Sequence, residues 1–200
     1  MKRRAEMDEK MRGELKRKAI HFAGLLIPIF YYIFPEDRKW LAVWILCGIA
    51  VLYFTSELLR FTHPQVNRFI LMRVSALLRK DEHQKVTGSG YYLIGALLSI
   101  ILFDKMVAIV SMLFLIFGDF SAAVVGMRWG RVKLIGSKSL EGSLGCLAAC
   151  LAVSLPLLPP KTAIVGSLVA TIVELLPLRI NDNLLIPVIS GLAMHLISKL

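Results

Sequence analysis

The chain is predicted to be an all-α, polytopic integral membrane protein of one domain, with about seven transmembrane helices and a pattern compatible with six to eight. Three observations carry that reading. Apolar residues make up 56% of the 200 positions and the mean hydropathy is +0.68, far above the usual soluble range. Apolar windows recur from one end of the chain to the other, and the basic residues gather in alternate connections between them.

The first window, about 22 to 34, follows a strongly basic start as a secretory signal would. It contains Pro28, runs into Glu36, Asp37 and Arg38, and has no small-residue cleavage site, so it reads as a retained first span. The others lie at about 40 to 56, 91 to 103, 106 to 126, 143 to 158, 162 to 177 and 184 to 197. Several fall short of the roughly 20 residues of a perpendicular span, so they extend into flanking polar residues or accept tilt and local thinning. Between Val66 and Leu78 apolar positions alternate with Arg68 and Arg73, which suits a helix lying at the interface. The chain divides into a basic cytoplasmic segment, 1 to 19, and a membrane-embedded domain, 20 to 200, with no internal repeat or long linker. Cys47, Cys146 and Cys150 all lie in apolar runs without metal-ligand spacing, and are read as packing residues.

Orientation follows from charge. With the N-terminus cytoplasmic, 19 of the 24 basic residues fall inside, leaving only Arg38, Lys39, Lys105, Lys161 and Lys199 outside. A multi-pass protein of the cell membrane is the expectation. The net charge of +10 needs no nucleic acid partner, because basic loops beside anionic headgroups account for it. In this arrangement every polar constellation lies on the cytoplasmic side.

The richest constellation is 118 to 145, where Asp119 ends an apolar run and a basic, glycine-rich turn comes next. Asp119, Ala123, Gly126 and Gly130 fall on one helical stripe of small residues headed by a carboxylate. A phosphate would fit close to such a stripe, and so would a neighbouring helix. Arg128, Arg131, Lys133 and Lys138 come next, with Gly136, Ser137 and Ser139 supplying flexible backbone and hydroxyls, then Glu141 and Gly142. The whole reads as a nucleotide and metal site at a membrane face.

Further constellations accompany it. Glu14, Arg17, Lys18 and His21 share a helical face where the chain enters the membrane, which suits phosphate binding and equally a snorkelling basic flank. Glu57 and Arg60 have the spacing of a local ion pair. Lys85, Thr87, Gly88, Ser89 and Gly90 form a small, hydroxyl-rich turn that suits a phosphate or a helix cap, without the spacing of a Walker loop. Glu174 lies inside an apolar run, where a carboxylate is costly and faces a partner or a polar cavity. Asn181, Asp182, Asn183 and Pro187 come after it, with Asp182 or Asn183 available to cap the last helix.

Taken together, Gly118, Asp119, Ala123, Gly126, Gly130, Lys138, Ser139, Glu141 and Gly142 resemble the CTP-utilising membrane enzymes that include phosphatidate cytidylyltransferases and polyprenol kinases. Arg17, Lys18 and His21 resemble the R-K-x-x-H motif of the dolichol kinase, phytol kinase and yeast-type CTP-dependent diacylglycerol kinase family. Thr87 with Gly88 is similar to that family's T-G before a span, and Asp182, Asn183 and Pro187 to its D-N-x-x-x-P ending. The longer C-terminal signature of the cytidylyltransferases is not found. The resemblance spans residues 14 to 191.

It implies a kinase that moves a phosphoryl group from CTP to the hydroxyl of a membrane lipid alcohol: polyprenol or dolichol, phytol, or diacylglycerol. The alternative is a phosphatidate cytidylyltransferase making CDP-diacylglycerol. Phosphoryl transfer rests on charge neutralisation and alignment. The resemblance then implies Asp119 as a ligand of Mg²⁺, with Asp182 or Glu174, since hard cations take carboxylate oxygens. Arg17, Lys18 and Lys138 would clamp phosphates, with Thr87, Gly88, Gly126, Gly130, Ser137 and Ser139 around the nucleotide. Glu141 is one candidate to orient the attacking hydroxyl.

Overall fold

The computed structural model describes residues 22–63, 65, 67, 68, 86–178 and 180–200. Glu14, Arg17, Lys18, His21, Lys85 and Arg179 lie outside the described residues, as does nearly all of the interfacial helix expected over 66 to 78.

Among the described residues the regular elements are all helical, joined by short turns and one hairpin connection. In order they form α1 (Leu26–Ile33), a 3₁₀ turn (Glu36–Arg38), α2 (Lys39–Thr62), α3 (Gly88–Leu102), α4 (Lys105–Leu113), a π-helical turn (Phe114–Gly118), α5 (Asp119–Trp129), α6 (Leu140–Ser154), α7 (Pro160–Leu175) and α8 (Asp182–Ser198). Proline sets several boundaries. Phe34 is extended ahead of Pro35, as the residue before a proline must usually be, and this ends α1. Pro160 opens α7, where its missing N–H costs nothing.

α4, the π turn and α5 run on as one helix through the middle of the bundle, packed against α1, α3, α6, α7 and α8. Its residues Val110, Met112, Phe114 and Leu115 are fully enclosed. By length and composition two helices can cross a membrane, Glu36–Thr62 and Lys105–Trp129, but they are used differently: 61% of the apolar stretch is buried in the second and only 22% in the first. The apolar surface of α2 therefore points outward, with Trp44 at 72% and Leu52 at 73% exposure. Water would penalise such a face, whereas acyl chains do not.

Inside the bundle, hydroxyls meet in pairs between helices, Ser99 with Ser111 at 3.4 Å and Ser154 with Ser167 at 3.2 Å. Ser154 and Ser190 also donate back to the carbonyl four residues earlier, which satisfies a hydroxyl without solvent. Cys146 and Cys150 are buried and pack on the π turn, where a Cβ at Gly118 would lie 2.8 Å from the Cys150 sulfur. This agrees with their reading as packing residues.

One end of the bundle is fastened by lysines on helix C-termini. Lys39 Nζ donates to the carbonyls of Ile101 and Phe103 at 3.1 and 3.2 Å, and Lys105 Nζ donates to Phe34 O at 2.8 Å. Cations there meet the negative end of the helix dipole. His195 Nδ1 lies 3.4 Å from Asp104 Oδ2 at the same end. The remaining acids and bases of interest lie at the other end.

Close helix contacts give a stability prediction. A Cβ at Gly191 would stand 2.3 Å from the buried Phe103 ring, whereas Gly48 has nothing within 4 Å. Gly191→Val is expected to cost about 1–3 kcal/mol through overpacking. Gly48→Ala is expected to be neutral or stabilising by up to about 1 kcal/mol, from helix propensity. Thermal unfolding in detergent measures both, and equal behaviour of the two variants would contradict the packing described.

Candidate functional site

The polar end is assembled from four pieces of chain. The first is the connection between α5 and α6, which folds as a tight hairpin. Leu134 N–H donates to Lys138 O at 3.0 Å, Lys138 N–H to Ile135 O at 3.0 Å, and Leu140 N–H to Val132 O at 2.9 Å. Lys133 and Ser139 form an antiparallel bridge, and Gly136 takes a φ of +57° at the tip, a conformation that favours glycine. The turn expected to be flexible is thus held by its own backbone. Ser137 is exposed at its tip, where its carbonyl accepts from Lys133 Nζ at 3.3 Å.

The base of the hairpin is closed against α5. Ser139 is buried and caps α6, accepting from Gly142 N–H at 3.2 Å. The same hydroxyl lies against the small-residue stripe: a Cβ at Gly130 would come within 2.6 Å of it, and one at Gly126 within 3.2 Å. A Cβ at Gly142 would stand 2.9 Å from Ala122 O. The stripe below Asp119 is therefore in contact with α6, and its small residues let the two helices approach. Glu141 adds a further fastening, because its carboxylate accepts from Val132 N–H at 3.2 and 3.3 Å. It lies ahead of the apolar part of α6, and backbone N–H groups, its own first, hold its carboxyl below the ordinary carboxylate range.

This hairpin delivers Lys138 to the other pieces. Its ammonium stands 3.3 Å from Glu174 Oε1, at the end of α7, and 3.6 Å from Asp182 Oδ2, at the start of α8. Glu174 is buried at 8% side-chain exposure, so the lysine supplies a cation where water cannot. Asp119 and Asp182 are both near enough for their charges to act on Glu174. The structure thus brings together Asp119, Lys138, Glu174 and Asp182 from three separate regions of sequence. Asp119 enters this group directly after the π turn, a deviation common near functional sites.

The fourth piece is the start of α3. Gly88 O accepts from the buried Asn183 side-chain amide at 2.8 Å, which joins the T-G pair to the beginning of α8. Thr87 occupies the N-cap position of α3 without a capping side-chain bond, and its hydroxyl pairs instead with that of Tyr53 from α2. Asn181, rather than Asp182 or Asn183, caps α8 by accepting from Asn183 N–H at 3.0 Å. Asp182 is thereby left to face Lys138, and Asn183 to reach α3. Elsewhere Arg60 Nη2 donates to Glu57 Oε2 at 2.8 Å as the expected local pair, although both residues are buried.

Sequence reasoning passed over Tyr53 and Phe22. Phe22 packs edge-on against Phe117 and Phe120, with centroids 5.7 and 5.0 Å apart, beside Gly118 and Asp119. Neither residue carries a local signal, since single aromatics in apolar runs are commonplace. Among the described residues no three of His, Cys, Asp and Glu form a preassembled metal cage. The donor chemistry nevertheless fits Mg²⁺, which takes one or two carboxylates and completes its shell with water and substrate phosphates. Asp119 and Glu174 with Asp182 offer hard oxygens of that kind, and Lys138 faces two of the three carboxylates.

The bridge makes a separable prediction. Lys138→Met is expected to destabilise the protein by about 3 kcal/mol, because it strands a buried carboxylate. Adding Glu174→Gln is expected to restore most of that stability. Chemical unfolding of single and double variants checks it, and strictly additive effects would show that the pair does not interact.

No protein-family model matches the chain, and no solved structure matches it. Curated relatives do. The chain is 28% identical over 208 residues to the CTP-dependent diacylglycerol kinase 1 of Schizosaccharomyces pombe, covering 92% of this chain and 93% of that protein. It is 32% identical over 186 residues to an uncharacterized protein of Rickettsia prowazekii, covering 87% and 89%. An uncharacterized protein of Methanocaldococcus jannaschii is 33% identical over 186 residues, covering 88% and 90%. With relatives of this closeness along most of its length, and with the motif residues at 87–88, 119, 138 and 182–183 gathered at one end of a helical bundle, the chain belongs to the CTP-dependent lipid kinase family.

Proposed function

We propose that the polar end of the bundle transfers the γ-phosphoryl group of CTP to the hydroxyl of a membrane lipid alcohol at the cytoplasmic face. The observation that carries this reading is the convergence of Asp119, Glu174 and Asp182 on Lys138 at one end of an outwardly apolar bundle. The names of relatives favour diacylglycerol as acceptor. Polyprenol, dolichol and phytol are the further members of the acceptor class.

In this reading the lipid's hydroxyl oxygen attacks the γ-phosphorus, a new P–O bond forms, and the bond from that phosphorus to the β–γ bridging oxygen breaks. CDP leaves with the electron pair, the hydroxyl proton passes to a nearby carboxylate, and the lipid phosphate remains. Lys138 neutralises phosphate charge as it arrives, exchanging one set of anionic partners for another. Arg17 and Lys18 add cations from the N-terminal side. Asp119, with Glu174 or Asp182, would hold Mg²⁺, which would supply charge neutralisation for the nucleotide's phosphates. Ser139, Gly126 and Gly130 serve by keeping α5 and α6 close enough to aim the hairpin. Ser137 and the Thr87–Gly88 turn would contact the nucleotide. Glu141 acts through the hairpin it fastens. Seven spans, with the N-terminus inside, put all of these groups on the basic side of the membrane.

Labelled CTP tests the reaction. Transfer of γ label but not α label into lipid is expected, and the opposite pattern would indicate cytidylyl transfer. Asp119→Asn is expected to lower that transfer by roughly 10²-fold or more at saturating Mg²⁺ while the protein stays folded; near-normal turnover would remove Asp119 from the chemistry. Orientation has its own check. In a Cys47→Ala background, Ser137→Cys is expected to react with an impermeant maleimide only from the cytoplasmic side and Lys161→Cys only from the opposite side.

A further inference from the structure

We infer that the cleft between the start of α1, α2, the start of α3 and the π turn holds the hydroxyl-bearing end of the acceptor lipid, an assignment that rests on the kinase reading above. The cleft has a volume of about 210 Å³, and Ala23, Ile27, Leu93, Leu115 and Ile116 give it apolar walls. Among the described residues none that lines it carries a charge. Those residues offer a triphosphate nothing to offset its phosphates, whereas an acyl or isoprenoid chain finds a matching surface along them.

The polar atoms in the lining are few. The Tyr92 hydroxyl donates to Gly24 O at 2.9 Å, and that of Tyr53 is paired with Thr87. Ser89 is exposed in the cleft, and its hydroxyl makes no hydrogen bond among the described residues. One uncommitted hydroxyl in an otherwise apolar slot suits a ligand with a small polar end and a long apolar remainder. The size agrees, because 210 Å³ is below the roughly 300–1,000 Å³ that encloses a whole drug-sized ligand. The remainder of the lipid lies outside, along the exposed apolar faces of α1 and α2 that Leu26 and Trp44 mark.

Position links the cleft to the chemistry. Leu115 and Ile116 precede Asp119 by four and three residues, so its wall ends about one helical turn from that carboxylate. Phe22, next to Ala23 in the wall, packs on the two phenylalanines that flank Gly118 and Asp119. On the other side Ser89 adjoins Gly88, whose carbonyl is held by Asn183 beside Asp182. The rim is thus tied to Asp119 through the central helix and to Asp182 through the Gly88–Asn183 hydrogen bond.

The test is photolabelling of the full chain in mixed micelles, using a diacylglycerol with a diazirine near the ester end of one acyl chain. Label is expected on the peptides that contain Ile27 or Leu93, competed by dioctanoylglycerol. Ser89→Phe, which fills the cleft, is expected to cut that labelling and to raise the KM for lipid by roughly tenfold, with the KM for CTP within about twofold of wild type. Ile27→Trp is a second filling variant, and stabilisation by CTP reports that each is folded. Uncompeted label on the outer faces of α6 and α7, or wild-type lipid KM and labelling in both folded variants, would overturn the assignment. The two readings fail separately. γ-Transfer without label in the cleft removes the cleft and keeps the kinase, whereas competed label there without transfer removes the kinase and keeps a lipid site.

Discussion

The ammonium of Lys138 stands between a carboxylate that closes α7 and one that opens α8, and the polar end of the bundle is organised around it. Glu174, Asp182 and Asp119 would otherwise repel one another at the edge of a low-dielectric interior, where such repulsion is poorly screened. Three acids around one lysine offer oxygens of the kind a hard cation takes, and the lysine offers a charge of the kind a phosphate takes. At the opposite end Lys39 and Lys105 are committed to backbone carbonyls at helix C-termini.

The hairpin that carries Lys138 owes its aim to several small interactions. Ser139 caps α6 while resting against Gly126 and Gly130, and Glu141 holds Val132 N–H. In the sequence Ser139, Gly126 and Gly130 read as neighbours of a nucleotide, and Glu141 as a candidate to orient the attacking hydroxyl. Their geometry gives them structural duties as well: enlarging Gly130 would push Ser139 away, loosen the cap and move Lys138 from its two carboxylates. A motif can be tightly specified here because the fold and the site use the same atoms.

Much of the fold was legible, and for simple reasons. Apolar windows near the length of a span, ended by Pro35 or opened by Pro160, left little freedom in where helices begin and end. Of the candidate site, Asp119 and Glu174 stood out because charge in an apolar run is expensive, whereas Lys138 stood out in a basic, glycine-rich turn and Asp182 through its resemblance to a family motif. Their mutual arrangement was not legible, since 36 residues of sequence separate Lys138 from Glu174 and no local pattern couples them. Nor did the sequence reveal that Asn181 takes over the cap, because Asn and Asp side chains are nearly equivalent as caps. Tyr53 and Phe22 were invisible for a different reason: their importance lies wholly in what they touch.

The π turn at Phe114–Gly118 changes the phase of the central helix. Each added residue rotates the rest of the helix by about 100°, so the face that lines the cleft and the face that meets α6 are out of step along one continuous rod. An uninterrupted α-helix could present Leu115 to the cleft or the small stripe to α6, but not both in their observed directions. A residue removed between α4 and Asp119 would convert the π turn to a regular α-helical turn and leave Asp119 on its present side of the rod, whereas one removed elsewhere in the central helix would turn the carboxylate by about 100°, away from Glu174.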